Sequence, residues 1–117
     1  HPTIIPLESE GWQLHPALHP TAADLFVRKT KGNSFEDTPL DVELKARGVG
    51  HVVITGLVTH GCVKATCLGA LELGYKTTLV GDAHSSYSKD AARMNTEWNA
   101  KLAGAGATVL ATRDVTF

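Results

Sequence analysis

The apolar and polar positions of this chain change period several times, and those changes outline its elements. "DLFVRK", Asp24 to Lys29, is a short apolar run bounded by polar text and predicts a strand. In "PLDVELKARG", Leu40, Val42 and Leu44 suit a short helix, with Thr38 as N-cap, Pro39 in the first turn and Gly48 as the stop. "HVVITG", His51 to Gly56, is a continuous β-branched run of the kind buried on both faces in a parallel sheet. From Cys62 to Leu73 the residues Val63, Thr66, Cys67, Ala70, Leu71 and Leu73 return to one side at helical spacing, and Gly74 ends the run. "YKTTLVGDA" predicts a further strand, "SKDAARMNTEWNAKLAGAG" a helix with Ser88 as N-cap, and "ATVLAT" a last strand.

Strands thus alternate with helices from residue 24 to residue 117, which predicts an α/β domain with a parallel sheet covered by helices and right-handed crossovers. Ligands in such folds bind beyond the carboxyl ends of the strands. Residues 1–23 hold four prolines and three histidines and are expected to be surface loop, with Trp12 and Leu14 as anchors. Loops of that length are uncommon inside a compact domain. The chain also opens on His1-Pro2, so the expectation is a piece of something longer, with strands that partner it lying upstream or on another chain.

Size and charge narrow the class. At 117 residues and 43% hydrophobic content the chain is enough for one small domain. Eleven basic residues against twelve acidic ones, with no basic cluster, argue against a nucleic-acid partner. No apolar run approaches the roughly 18 residues of a membrane span, and no signal-peptide pattern appears. Cys62 and Cys67 fall within one predicted helix, which is poor disulfide geometry, so a reducing, cytoplasmic setting is expected.

Cys62 is the chemically suggestive residue, because "ITGLVTHGCVKAT" places it where a strand gives way to a helix. The backbone N–H groups and dipole of a first helical turn favour a thiolate over a thiol. The same N–H groups can hold the oxyanion that forms when sulfur attacks a carbonyl, and Gly56 and Gly61 permit the close approaches this needs. A small buried core residue is the alternative reading of Cys62. Packing is the expectation for Cys67, which lies mid-helix on the apolar side.

"VVITGLVTHGCVKATCLGALELGYKTTLVGDAHSS" resembles the signature of the isochorismatase-like cysteine hydrolases. It combines a glycine after the strand, a threonine three residues before the cysteine, "CV" at the turn, "GY" at the helix end and "DAHSS" after the next strand. "VRKTKGNSFEDTPL" and "GWQLHP" are similar to further segments of that family, so the resemblance spans nearly the whole chain. It implies a Rossmann-like three-layer α/β/α fold with helices on both faces of a parallel sheet, incomplete in this chain, of which residues 1–117 would be the C-terminal part. It also implies an aspartate–lysine–cysteine triad. Cys62 corresponds to the cysteine, and Lys29, six residues before Phe35, to the lysine, with Lys31 the weaker candidate. The aspartate has no counterpart here, since Asp24, Asp82 and Asp114 fall in the wrong places, and it is expected upstream.

The resemblance further implies a thioester intermediate on Cys62, an oxyanion hole of the Val58 and Cys62 backbone N–H groups, and a cis peptide between Leu57 and Val58. The substrate class would be a small-molecule amide or related C–N bond. Two alternatives stand beside this: an inactive binding or regulatory subunit, and a vinyl-ether hydrolase of the isochorismatase type, which can dispense with the cysteine. Trp12, Phe35, His60 and Tyr87 are candidates for lining the pocket, or equally for packing anchors, while Asp82 and Ser85 would support it. No metal or cofactor is expected: His15 and His19 are four apart, but Pro16 and Pro20 disrupt the helix that would align them, and His1 stands alone. Self-association is expected, as in the family. A nucleotide-binding fold finds no support, because no glycine-rich phosphate loop follows a predicted strand.

Overall fold

The computed structural model describes residues 8–10 and 13–117. Its sheet has three parallel strands in the order β1 (His51–Leu57), β2 (Lys76–Ser85) and β3 (Thr108–Leu110). Helix α1 (Leu40–Ala46) precedes β1, α2 (Lys64–Glu72) links β1 to β2, and α3 (Ala91–Ala105) links β2 to β3. Helices α2 and α3 pack on each other and on β2. Among the described residues no helix is long and apolar enough to cross a membrane.

All three helices stop in the same way. Gly48, Gly74 and Gly106 have φ of 71°, 89° and 118°, the left-handed region that side chains resist. In α2 the N–H of Gly74 then reaches the Leu71 carbonyl, and that of Tyr75 the Ala70 carbonyl. The orphan carbonyls of the last turn are satisfied and the chain turns directly into β2.

Ile54, Val63, Cys67, Ala70, Tyr75, Leu79, Leu102 and Ala107 form the buried cluster, with Phe35, Leu44 and Trp98 against it. The Tyr75 ring stacks on Phe35, and its hydroxyl donates to the Asp41 carboxylate at 2.6 Å. That hydrogen bond holds Asp41 below the usual carboxylate range. Burial, reinforced by the same bond, pushes Tyr75 up to about 12.

Burial also pushes the Cys67 thiol from 9.0 up to about 11. The folded chain therefore keeps this proton where the unfolded chain has released it, so stability falls as pH rises from about 9 to about 11 and is unaffected below. At about 1.36 kcal/mol per unit the loss is roughly 2–3 kcal/mol. Urea unfolding between pH 8 and pH 10 checks this: Cys67→Ala should lower stability at pH 8 but remove most of its fall between pH 9 and pH 10, above which Tyr75 adds a fall of its own.

Five expectations need correction. Helix α1 starts at Leu40 with Pro39, not Thr38, at the N-cap position; the Thr38 hydroxyl accepts from the Leu40 N–H one residue further out. Asp24 to Lys29 forms no strand: among the described residues no strand pairs with it, and Phe26 is 62% exposed. A β-prone run becomes a strand only when a neighbour takes its N–H and C=O groups. β1 is not buried on both faces; only Ile54 is fully buried, because β1 lies at the edge of the described sheet. Helix α3 begins at Ala91 with Asp90 as its N-cap rather than Ser88. The Ser88 hydroxyl instead accepts from the Asp90 N–H and its carbonyl from Ala91, making a separate turn ahead of the helix. The last strand is short because the Ala107 N–H is committed to Leu102 and the Thr112 N–H to the Asp82 carboxylate.

Candidate active site

At the carboxyl end of β1 the chain departs from regular structure. Ile54 faces Leu79 across the ladder, but two residues later Gly56 faces His84, so β2 bulges by three residues at this point. Gly56 has φ of 125°, which only glycine adopts without strain. The Leu57–Val58 peptide bond is cis. A π-helical turn, Thr59–Val63, then leads without a break into α2. It closes on the Val58 carbonyl, which accepts from the N–H groups of both Gly61 and Val63 at 3.1 Å. The helix was expected to begin at Cys62; it begins instead with this wider turn, and Cys62 lies within it. Gly61 is there for space, since a Cβ would stand 3.0 Å from the Val58 side chain.

Lys29 reaches the same place from the other side. Its ammonium donates to the Cys62 sulfur at 3.6 Å. The loop that follows Lys29 is fastened to α2: the Ser34 N–H donates to the Thr66 hydroxyl at 3.0 Å, and that hydroxyl also lies 3.1 Å from the Ser34 hydroxyl. Asn33 lies over Gly69 so closely that a Cβ there would run into its side-chain amide. A cation on an otherwise exposed segment is thereby held beside a half-buried thiol.

Lys29, Cys62, Ser34, Ile54, Thr55, Leu57, Val63 and Thr66 line a cavity of about 110 Å³. Apolar walls with a few hydroxyls, a thiol and one ammonium suit a small, uncharged polar group better than an extended polymer. A wider cleft of about 510 Å³, walled by Gln13, Leu14, Phe26, Val27 and Arg28, shares Lys29 with it.

The other candidates separate. Phe35 is stacked in the core and does not line the cavity. His60 and Tyr87 are exposed and also lie outside the lining, Tyr87 being 83% exposed. Trp12 falls outside the described residues. Asp82 braces the neighbouring strand end: its carboxylate accepts from the Thr112 hydroxyl and N–H, both at 2.8 Å, which holds it below the usual carboxylate range. Cys67 is wholly buried. Among the described residues no three His, Cys, Asp or Glu side chains converge; His15 caps its own turn by accepting from the Ala17 N–H.

Ser34, Thr55 and Thr66 were not singled out from the sequence as site residues. Thr66 shares its helical spacing with core residues, and its partner Ser34 is 32 residues away, so no local pattern joins them.

Fold and site together define an α/β protein with a thiol–ammonium pair at a strand-to-helix turn. The chain belongs to the isochorismatase family: the isochorismatase domain profile matches residues 2–114. It is 42% identical over 82 residues to a streptothricin hydrolase of Streptomyces noursei, an alignment covering 70% of this chain and 30% of that protein. It is 37% identical over 79 residues to the ureidoacrylate amidohydrolase of Variovorax paradoxus, covering 66% of this chain and 31% of that one. The crystal structure of an isochorismatase-like hydrolase from Alkaliphilus metalliredigens superposes with a TM-score of 0.80 at 29% identity, over 89% of this chain and 56% of the other. The matched region is thus about a third of the length of these two curated relatives.

Proposed function

We propose that this chain carries the nucleophile of a cysteine hydrolase that cleaves small-molecule amides or related C–N bonds. The observation that supports it most is the Lys29 ammonium 3.6 Å from the Cys62 sulfur, at the wall of a small cavity. The names of the relatives, an amidohydrolase and a streptothricin hydrolase, point the same way.

In this reading the Cys62 sulfur, held beside the Lys29 ammonium, attacks the carbonyl carbon of the substrate as the thiolate. The tetrahedral oxyanion is held by the backbone N–H groups of Val58 and Cys62. Collapse breaks the C–N bond; the leaving nitrogen takes a proton and departs as amine or ammonia. Water then hydrolyses the thioester, releasing a carboxylic acid and restoring the thiol. The group that carries the proton is expected to be an aspartate from outside these 117 residues. A strand from outside them, or from a second copy of the chain, is likewise proposed to pair with the open edge of β1 and to cover Leu57, now 53% exposed.

Alkylation tests the pair without a known substrate. In the full-length protein at pH 7, limiting iodoacetamide should label Cys62 quickly and spare Cys67, with the sites read by peptide mass spectrometry. Lys29→Ala should slow Cys62 labelling by about tenfold, the effect of losing an opposite charge at this distance. Labelling of Cys62 no faster than a free thiol, or unchanged by Lys29→Ala, would refute the reading.

A further inference from the structure

Behind the Cys62 turn lies a polar chain, buried at Thr59 and His84 and half-buried at Asn95 and Asn99, that the reaction as described does not use. Thr59, the first residue of the turn, is completely buried, and its hydroxyl lies 2.9 Å from Nδ1 of His84. His84, 5% exposed, stands near the end of β2, and its Nε2 lies 2.7 Å from Oδ1 of Asn99 on α3. The Asn99 amide nitrogen donates to the Gly81 carbonyl at 3.1 Å and to Oδ1 of Asn95 at 3.0 Å. Asn95 in turn donates to the His84 carbonyl at 2.8 Å.

The Asn95 amide nitrogen also lies 3.3 Å from both ring nitrogens of His84, and the shorter contacts select one tautomer of the neutral ring. With both Asn99 N–H groups committed, Oδ1 of Asn99 is an acceptor, so Nε2 of His84 carries the proton. In the neutral ring Nδ1 is then an acceptor, and the Thr59 hydroxyl must donate to it. The rotamer of Thr59 is thereby set by two asparagines on a helix that contributes nothing else to the cavity. Among the described residues no buried side-chain polar atom lacks a partner, so the chain is fully satisfied and rigid rather than a liability.

Thr59 directly follows Val58, whose carbonyl closes the turn and whose N–H is one of the two donors in the proposed oxyanion hole. A π-helical turn is wider than an α-helical one; this one is closed by backbone bonds to the Val58 and Thr59 carbonyls, and the Thr59 side chain adds an anchor to β2 and, through it, to α3. We infer that His84 is a positioning residue: through Thr59 it holds the Val58–Cys62 turn so that its backbone N–H groups meet the developing oxyanion. This rests on the reading of Cys62 as nucleophile.

Two probes separate the two claims in the full-length protein. p-Nitrophenyl acetate acylates a thiolate through a tetrahedral oxyanion, forming a thioester and releasing p-nitrophenolate, whereas iodoacetamide alkylates it by displacement of iodide with no oxyanion. Thr59→Val removes the donor at constant shape and should slow the acylation burst by about 10–100-fold, the loss seen when an oxyanion donor is weakened or misplaced. Iodoacetamide labelling of Cys62 should change less than about threefold, since sulfur and ammonium keep their places. Thr59→Ser, which keeps the hydroxyl, should recover most of the acylation rate. His84→Gln keeps a donor for Asn99 but removes the Nδ1 acceptor, and should reproduce the selective loss; it decides the matter if Thr59→Val does not fold. Equal slowing of acylation and alkylation, or no slowing of acylation, overturns the positioning role alone. Failure of the unsubstituted protein to acylate at Cys62 overturns the nucleophile reading and this one with it.

Discussion

On the proposed thioester chemistry, Cys62→Ser is expected to abolish amide hydrolysis, by of order 10³-fold or more, while leaving the unfolding midpoint nearly unchanged. The activity readout is ammonia release from a panel of small primary amides and ureido compounds. A serine hydroxyl fits the space of the thiol but ionises far less readily, so it is a much weaker nucleophile toward an amide carbonyl. Because Cys62 is only half-buried and its side chain meets the Lys29 ammonium at the cavity wall, stability should move by no more than about 0.5 kcal/mol. Cys67→Ala is the informative control. It removes the other thiol from a fully buried site, so it should lower stability while sparing turnover. Retained ammonia release in Cys62→Ser would show that amide cleavage does not pass through a Cys62 thioester and would overturn the proposed role of that sulfur.

How much of this could be read in the amino-acid sequence varied with how local the determining physics is. The helix stops at Gly48, Gly74 and Gly106 were legible because a single glycine in the left-handed region decides them. β2 was legible because "TTLV" favours a strand at every position and the strand has neighbours on both sides. Asp24 to Lys29 has an equally apolar pattern, yet the pattern cannot say whether a pairing partner is present. The wide turn at Thr59–Val63 differs from an ordinary helix start by one residue per hydrogen-bonded ring, which spacing does not register. Composition could not choose between Lys29 and Lys31; the six-residue offset to Phe35 in the family resemblance did, and Lys29 is the one beside the sulfur. Phe35 itself shows the reverse case: an aromatic in a polar loop has no sequence mark that separates a pocket wall from a core anchor, and the Tyr75 ring claims it. His84 was read only as part of "DAHSS", because its partners Thr59 and Asn99 lie 25 and 15 residues away.

Leu79→Ala should be the most damaging single truncation in the core. Leu79 is completely buried at the middle of the central strand, opposite Ile54 on one side and Val109 on the other. It joins the helix-covered cluster to both neighbouring strands, and a void there cannot be closed by moving one side chain. The expected loss is about 3–5 kcal/mol, the upper part of the range for buried leucine truncations, and a large share of the roughly 5–15 kcal/mol that holds a domain folded. Val42→Ala, at a 70% exposed position on α1, should cost less than about 0.5 kcal/mol. Urea unfolding measures both. Cysteine labelling adds a second view, because Cys67 belongs to the same cluster as Leu79 and is reached by reagent only when that cluster opens. At tenfold per about 1.4 kcal/mol, Leu79→Ala should accelerate Cys67 labelling about a hundredfold or more. Cys62, already at a cavity wall, should change far less. Equal acceleration at both sulfurs would mean that the Cys62 turn opens with the core rather than standing ready on a closed scaffold, and the site would then lack the rigidity that its chemistry requires.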